Sequence, residues 1–280
     1  MPMNEIFCYR LGQKRGGGGG GASDEDWIGD GNTHIWISLS EGRTSPVLGV
    51  GVKGTVTVDW GDGTEPYVLT GNNASGTSWT PKHSYASAGD YIITLTVNGE
   101  IGFTGQMGHT SLLRFSNSSS SDSRNYGYSK AIRKVEMGNN VSVIGYYAFG
   151  NCFVLEGVNI SNGATSIGES AFYACYTLES ITIPDGVTSI GNSAFNNCYT
   201  LESVNISDSV TSIGNSAFNN CRALIKIRFN PVVPPTAANS SAFGNIPADC
   251  IISVPTGSLE AYTTATNYPN PATYTYIEED

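Results

Sequence analysis

Charge is scarce in this chain. Only 14% of its 280 residues are charged, against a usual share of about 25%. The balance is acidic, with 14 Lys plus Arg against 24 Asp plus Glu and a formal net charge of −10. So few basic groups cannot neutralise a phosphate backbone, which excludes general nucleic-acid binding. Histidine is rarer still, limited to His34, His83 and His109, none near another, so a histidine-based metal site has no local support and neither metal nor cofactor is expected. No segment approaches the roughly 18 to 20 consecutive apolar residues of a membrane-spanning helix. The N-terminus, MPMNEIFCYRLGQKR, also lacks the apolar run of about 7 to 15 residues that a secretory signal requires, and the expectation is a chain without a signal peptide.

What is present is the palette of exposed β structure and turns: 34 Gly and 15 Tyr, with Ser, Thr and Asn filling much of the rest. Six consecutive glycines, Gly16 to Gly21, lose too much backbone entropy on ordering and offer nothing to pack, so they read as a flexible linker. The fifteen residues before them carry Ile6, Phe7, Tyr9 and Leu11. Residues 1–22 are therefore expected to be either an anchor peptide on a tether, joining the chain to a larger assembly, or a tail without a role.

A repeat decides the fold. Leu155, Leu178, Leu201 and Leu224 are spaced 23 residues apart, as are Cys152, Cys175, Cys198 and Cys221, and Phe149, Phe172, Phe195 and Phe218. The unit from Leu178 to Thr200 reads LESITIPDGVTSIGNSAFNNCYT, a diverged copy starts at Ile132, and a stretched one starts at Leu224. Leu178, Ile181 and Ile183 have the spacing of a strand with alternate side chains inward, Val187 and Ile190 mark a second inward stretch, and Ala194, Phe195 and Cys198 a compact turn. A coil this short cannot enclose a core alone. Stacked in parallel at about 4.8 Å per layer, each coil buries the face of the next. The prediction is a right-handed solenoid over 132–250 with columns of Leu, Ile, Phe and Cys.

These residues resemble the BspA-like leucine-rich repeats of bacterial and protozoan surface proteins, whose pattern is L-x-x-I-x-I-P-x-x-V-x-x-I-G-x-x-A-F-x-x-C. The segment IISVPTGSLEAYTTATNY (251–268) resembles the cap with which that family closes. The resemblance implies a C-terminal cap over 251–280, with a short helix from Ser258 to Thr264 in which Ser258 is the N-cap. The acidic end Glu278, Glu279 and Asp280 is expected to guard the end of the stack.

Residues 33–98 have another rhythm. THIWISLS, GTVTVDWGDGT, PYVLTG and GDYIITLTV are alternating strands separated by turn residues, which argues for an antiparallel sandwich. TVTVDWGDGT (55–64) together with HSYASAGDYIITLTV (83–97) resembles the polycystic-kidney-disease-type immunoglobulin-like domain, although Trp60 stands directly before Gly61 here. The expected organisation is therefore a sandwich over 23–100, a connecting segment and solenoid cap over 101–131, and then the repeats. Asp62 between Gly61 and Gly63 is read as a tight turn; Asp59 and Asp62 alone are too few oxygens for calcium.

The four in-register cysteines point the same way, so they cannot converge on a metal and read as a buried ladder of thiols. No G-x-S-x-G elbow is present. Glu156, Glu179 and Glu202 form a column with separations near those of glycosidase carboxylate pairs, but they arise by repeat copying on an exposed face, so no catalytic residue is assigned and no enzyme activity is expected. The position after each Cys holds Phe153, Tyr176, Tyr199 and Arg222. This strip is read either as a self-stacking ladder that shields the coil edge or as a binding strip for a host-surface glycan or protein, with the Glu column beside it. The resulting expectation is a mainly β, non-enzymatic binding protein displayed on a surface, first as a phage virion component and alternatively as a bacterial cell-surface adhesin; an oligomer is compatible with either.

Overall fold

The computed structural model describes residues 30–41, 44–78, 81–103, 113–115 and 131–280; the expected anchor peptide and hexaglycine lie outside these residues. Eighteen strands occur among them. Six precede the repeats: β1 (Thr33–Leu39), β2 (Pro46–Leu48), β3 (Val50–Asp59), β4 (Tyr67–Ser78), β5 (Gly89–Phe103) and β6 (Leu113–Phe115). The repeats then alternate between two sites on the coil. The first site carries β7 (Ile132–Glu136), β9 (Gly157–Asn159), β11 (Ser180–Ile183), β13 (Ser203–Ile206), β15 (Lys226–Phe229) and β17 (Ile251–Pro255). The second carries β8 (Val141–Ile144), β10 (Ser166–Ile167), β12 (Ser189–Ile190), β14 (Ser212–Ile213) and β16 (Thr236–Ala237). β18 (Thr275–Glu279) closes the chain. The structure is thus mainly β, with a solenoid of about six turns.

Successive coils pair in parallel, and the 23-residue period is the register itself as far as Ile227 and Ile213, after which the stretched last coil is offset by 25 residues at Ile252 and 24 at Ala237. Ile181 faces Val204, Val204 faces Ile227, and Ile227 faces Ile252 on the first site, while Ile144, Ile167, Ile190, Ile213 and Ala237 align on the second. A one-residue slip would turn every one of these side chains to water, which is why the pattern specifies the stacking so firmly. The Leu column is fully buried, each member contributing about 1.5 to 3 kcal/mol of apolar burial. The Phe column stacks ring on ring, with centroids 5.2 Å apart from Phe149 through Phe172 and Phe195 to Phe218.

The compact turn contains a device that hydrophobic spacing does not reveal. Two residues in each of four coils take left-handed backbone angles, one set at Tyr147, Ser170, Ser193 and Ser216 and another at Asn151, Ala174, Asn197 and Asn220. Asparagine tolerates this conformation because its short amide bonds locally. Here the amides also bond along the stack, Asn220 Nδ2 donating to Asn197 Oδ1 at 2.9 Å and Asn245 Nδ2 to Asn220 Oδ1 at 3.0 Å.

The N-terminal strands are not a free-standing sandwich. β4, β3, β5 and β1 form an antiparallel sheet, with β2 and β6 as a separate pair, but β5 continues to Phe103 and pairs in parallel with β8, while β1 pairs with β7. One eleven-stranded sheet therefore runs from these strands into the repeats, and residues 31–280 are one compact unit. The physical reason is that the first coil otherwise has unpaired strands at both sites, and β5 and β1 supply a partner to each. Ile101 and Phe103 are fully buried, and Phe103 meets Phe149 edge-on at 5.7 Å, so the Phe column begins in the N-terminal strands.

One row of glycines crosses β4, β3 and β5. Gly54 faces both Gly71 and Gly99 across three adjacent strands, and Gly54 and Gly99 adopt φ of +113° and +123°. A Cβ on Gly99 would run into the Lys53 carbonyl oxygen, and one on Gly54 into that of Asn98.

At the other end, the helix spans Leu259–Thr263 with Ser258 at its N-cap position, but Ser258 makes no side-chain cap bond and its hydroxyl is buried without a partner. Glu278 caps instead, its Oε1 accepting from the amides of Gly257 (2.8 Å) and Leu259 (3.1 Å). The acidic end is the last strand, β18, paired in parallel with β17. Glu279 accepts from Lys226 Nζ at 2.7 Å and Ser253 Oγ at 2.8 Å, and these bonds hold its carboxyl below the usual range. Tyr262 and Tyr268 cover the final rings, Phe229 and Phe243, and donate to the carbonyls of Pro231 and Pro235.

Candidate binding surface

Along the first site, inward Ile and Val alternate with outward Ser180 and Thr182, which align with Ser203 and Asn205 and then with Lys226 and Arg228. The floor of this face is small and polar through the middle coils, and at β15 it carries Lys226 and Arg228, both paired with Glu279. Along its edge runs the Glu column. Glu202 N donates to Glu179 O and Ile225 N to Glu202 O, which fixes the spacing, and the three side chains are exposed. Adding one period backwards places Arg133 at the head of the same column, where Nη1 pairs with Glu156 Oε1 at 2.9 Å. The diverged first copy concealed this ion pair from the sequence reading, although the 23-residue offset between 133 and 156 was the signal. Lys134 lies 4.5 Å from the Trp36 ring, a contact that depends on the β1–β7 pairing and that no repeat could foretell.

The strip after each Cys is a continuous stack. Phe153 and Tyr176 are parallel at 4.7 Å, Tyr176 and Tyr199 at 5.1 Å, and Arg222 places its guanidinium 5.4 Å from the Tyr199 ring. Tyr176 and Tyr199 are 37% and 38% exposed. Both faces of Tyr176 are occupied by its neighbours, so a sugar ring cannot lie flat on it. What the strip offers outward is ring edges, phenolic hydroxyls and one guanidinium. The structure thus brings Phe153, Tyr176, Tyr199 and Arg222 together as one ladder and holds Glu156, Glu179 and Glu202 as a second, parallel row.

The thiols form their own ladder inside. Sγ of Cys175, Cys198 and Cys221 donates to the carbonyls of Phe149, Phe172 and Phe195, at 3.3, 3.2 and 3.3 Å. Cys152 is buried, and Cys175, Cys198, Cys221 and Cys250 are buried free thiols. Burial pushes the Cys198 thiol up to about 12, and since only the thiolate attacks, these groups are poor nucleophiles. In the native protein, a thiol reagent is expected to leave Cys175 and Cys198 unlabelled for as long as the fold persists, and intact-mass measurement is expected to find no bridge; rapid native labelling would overturn the packing described.

In the N-terminal strands, the residues singled out in the sequence converge on one hairpin. Trp60 is buried and stacks on His83 at 5.0 Å, and Tyr85 donates to the Trp60 carbonyl at 2.8 Å. Asp62 Oδ1 accepts from the Thr64 amide and hydroxyl, and its Oδ2 lies 2.7 Å from His83 Nε2. Burial raises the Asp62 pKa, but the Thr64 and His83 bonds outweigh it and the carboxyl sits below its ordinary value. Asp59 Oδ1 accepts from the Gly61 amide. Both carboxylates thus serve the turn, and among the described residues no group of three or more His, Cys, Asp or Glu is arranged to hold a metal ion.

Residues 122–248 match the family described as BspA type Leucine rich repeat region, in six copies. The chain is also similar to three solved proteins. A leucine-rich repeat protein from Bacteroides ovatus is 31% identical over 42% of this chain and 27% of its own, with a TM-score of 0.33. The pneumococcal vaccine antigen PcpA is 19% identical over 55% of this chain and 38% of its own, with a TM-score of 0.46. A leucine-rich repeat protein of T. pallidum is 28% identical over 43% and 59%, with a TM-score of 0.35. The chain therefore spans less than two thirds of the length of each. No curated protein matches it. The period and the parallel stacking agree with this six-copy match to a BspA type leucine-rich repeat region over residues 122–248.

Proposed function

We propose that the chain is a non-enzymatic, adhesin-type binding protein displayed on a bacterial cell surface. The observation that carries this reading is the pair of parallel exposed rows, Tyr176–Tyr199–Arg222 and Glu156–Glu179–Glu202, held in register along one rigid repeat region. Rows of this kind suit an extended contact, with aromatic and Arg groups supplying most of its energy. Ring edges, hydroxyls and carboxylates favour a host-surface partner rich in hydrogen-bond donors, a protein surface before a flat sugar ring. The repeat family, through the surface proteins it resembles, supports cell-surface display. The virion reading has no support among the matched proteins, and its anchor lies in residues outside those described, so the adhesin reading takes its place. We keep the immunoglobulin-like reading of residues 33–98 as part of the proposal, supported by the Trp60, His83 and Tyr85 packing.

Tyr176→Ser combined with Glu179→Gln tests this reading on an array of glycans and immobilised host-surface proteins. Binding is expected to fall at least about tenfold, as for other central aromatic contacts. Loss of the two stacking contacts is expected to lower stability by about 1 to 3 kcal/mol, which leaves the fold intact. Unchanged binding by the folded variant would remove the two rows from the interface.

A further inference from the structure

Two sheet edges among the described residues, β18 and β16, are protected. β18 ends in Glu278 and Glu279, and β16 is two residues long with its Ala237 carbonyl bonded by Asn267 Nδ2 at 2.9 Å. Charged residues, short length and covering groups are the usual means by which proteins prevent edge-to-edge pairing. Among the described residues, β4 has none of them between Tyr67 and Asn73. It pairs on one side only, with β3, and its twelve residues, YVLTGNNASGTS, contain no charge and no proline. From Tyr67 to Asn73 every side chain but that of Leu69 is exposed, with Val68 at 59%. In a chain of net charge −10, this is a long stretch on which two copies can meet without like-charge repulsion.

We propose that β4 is a self-association edge, and that a second copy of this chain pairs with it strand to strand, antiparallel about a two-fold axis. A two-fold contact uses the same edge twice and satisfies its outward backbone groups on both copies. The contact is separate from the proposed ligand rows, which lie on the repeats, and pairing would join two of them in one bivalent particle. An edge contact of this size is below the about 1,000 Å² of a standing interface, so the association is weak.

The test uses the full chain at rising concentration, with sedimentation velocity for mass and hydrogen exchange for location. The expected result is a monomer–dimer equilibrium at high concentration, with new amide protection confined to Tyr67–Asn73. Val68→Lys with Thr70→Lys places like charges on the edge at exposed positions, so the thermal transition is expected to stay unchanged while the dimer population falls about tenfold or more. A wild-type chain that remains monomeric overturns the proposal and returns the edge to an extended peptide of another protein. A dimer that persists in the lysine variant, or protection elsewhere, overturns it as well.

Discussion

Phe195→Ala is expected to destabilise the protein by about 3 to 5 kcal/mol, the usual cost of truncating a packed aromatic residue. Phe195 is fully buried and has Phe172 above and Phe218 below, each 5.2 Å away and nearly parallel. Its removal leaves a cavity in the middle of a column whose neighbours are held by backbone bonds, Phe195 N to Ala217 O among them, so the coils cannot close the gap. Phe243 at the end of the column rests against Tyr268 of the cap, and Phe243→Ala is expected to cost less because the cap can settle. Urea unfolding followed by far-UV dichroism reads both, as a shift of the midpoint at constant slope. A loss below about 1 kcal/mol for Phe195→Ala would mean that the column is loosely packed.

Gly99→Ala is expected to cost about 2 to 4 kcal/mol, from backbone strain and overpacking together. At φ of +123° a Cβ is disfavoured whatever surrounds it, and here it also meets the Lys53 carbonyl. Gly63 separates the two contributions. It has φ of +81° with open space around it, so Gly63→Ala is expected to cost only the strain, about 1 kcal/mol. Gly54 and Gly99 face each other, and their alanine variants are expected to combine non-additively. Equal effects at Gly63 and Gly99 would show that close strand approach contributes nothing at the glycine row.

The repeat region was legible because its information is local and repeated. Leu178, Ile181, Ile183, Phe195 and Cys198 specify one coil, and a 23-residue period leaves parallel stacking as the only way to bury them. The aromatic and Glu rows followed from the same period, since copies at one position must lie in register. What period alone could not decide was which surface of each ring would be used. Stacking at 4.7 and 5.1 Å turns the Tyr176 faces inward on the ladder and changes the kind of ligand it can meet.

Elsewhere, residues far apart in the chain made the decisions. The alternation of THIWISLS and GDYIITLTV determined that β1 and β5 are strands, but nothing local says that their free edges will complete the first coil. That depends on β7 and β8, which β1 and β5 supply with partners. The C-terminal cap shows the same division. Its sequence marked a strand and a helix, yet the tertiary structure assigned the capping bond to Glu278, because β18 pairs with β17 and carries that carboxylate to the helix start while Ser258 is buried. Local pattern settled which segments are strands and which side of each is apolar; unpaired backbone and the charges brought beside it settled what those segments pair with.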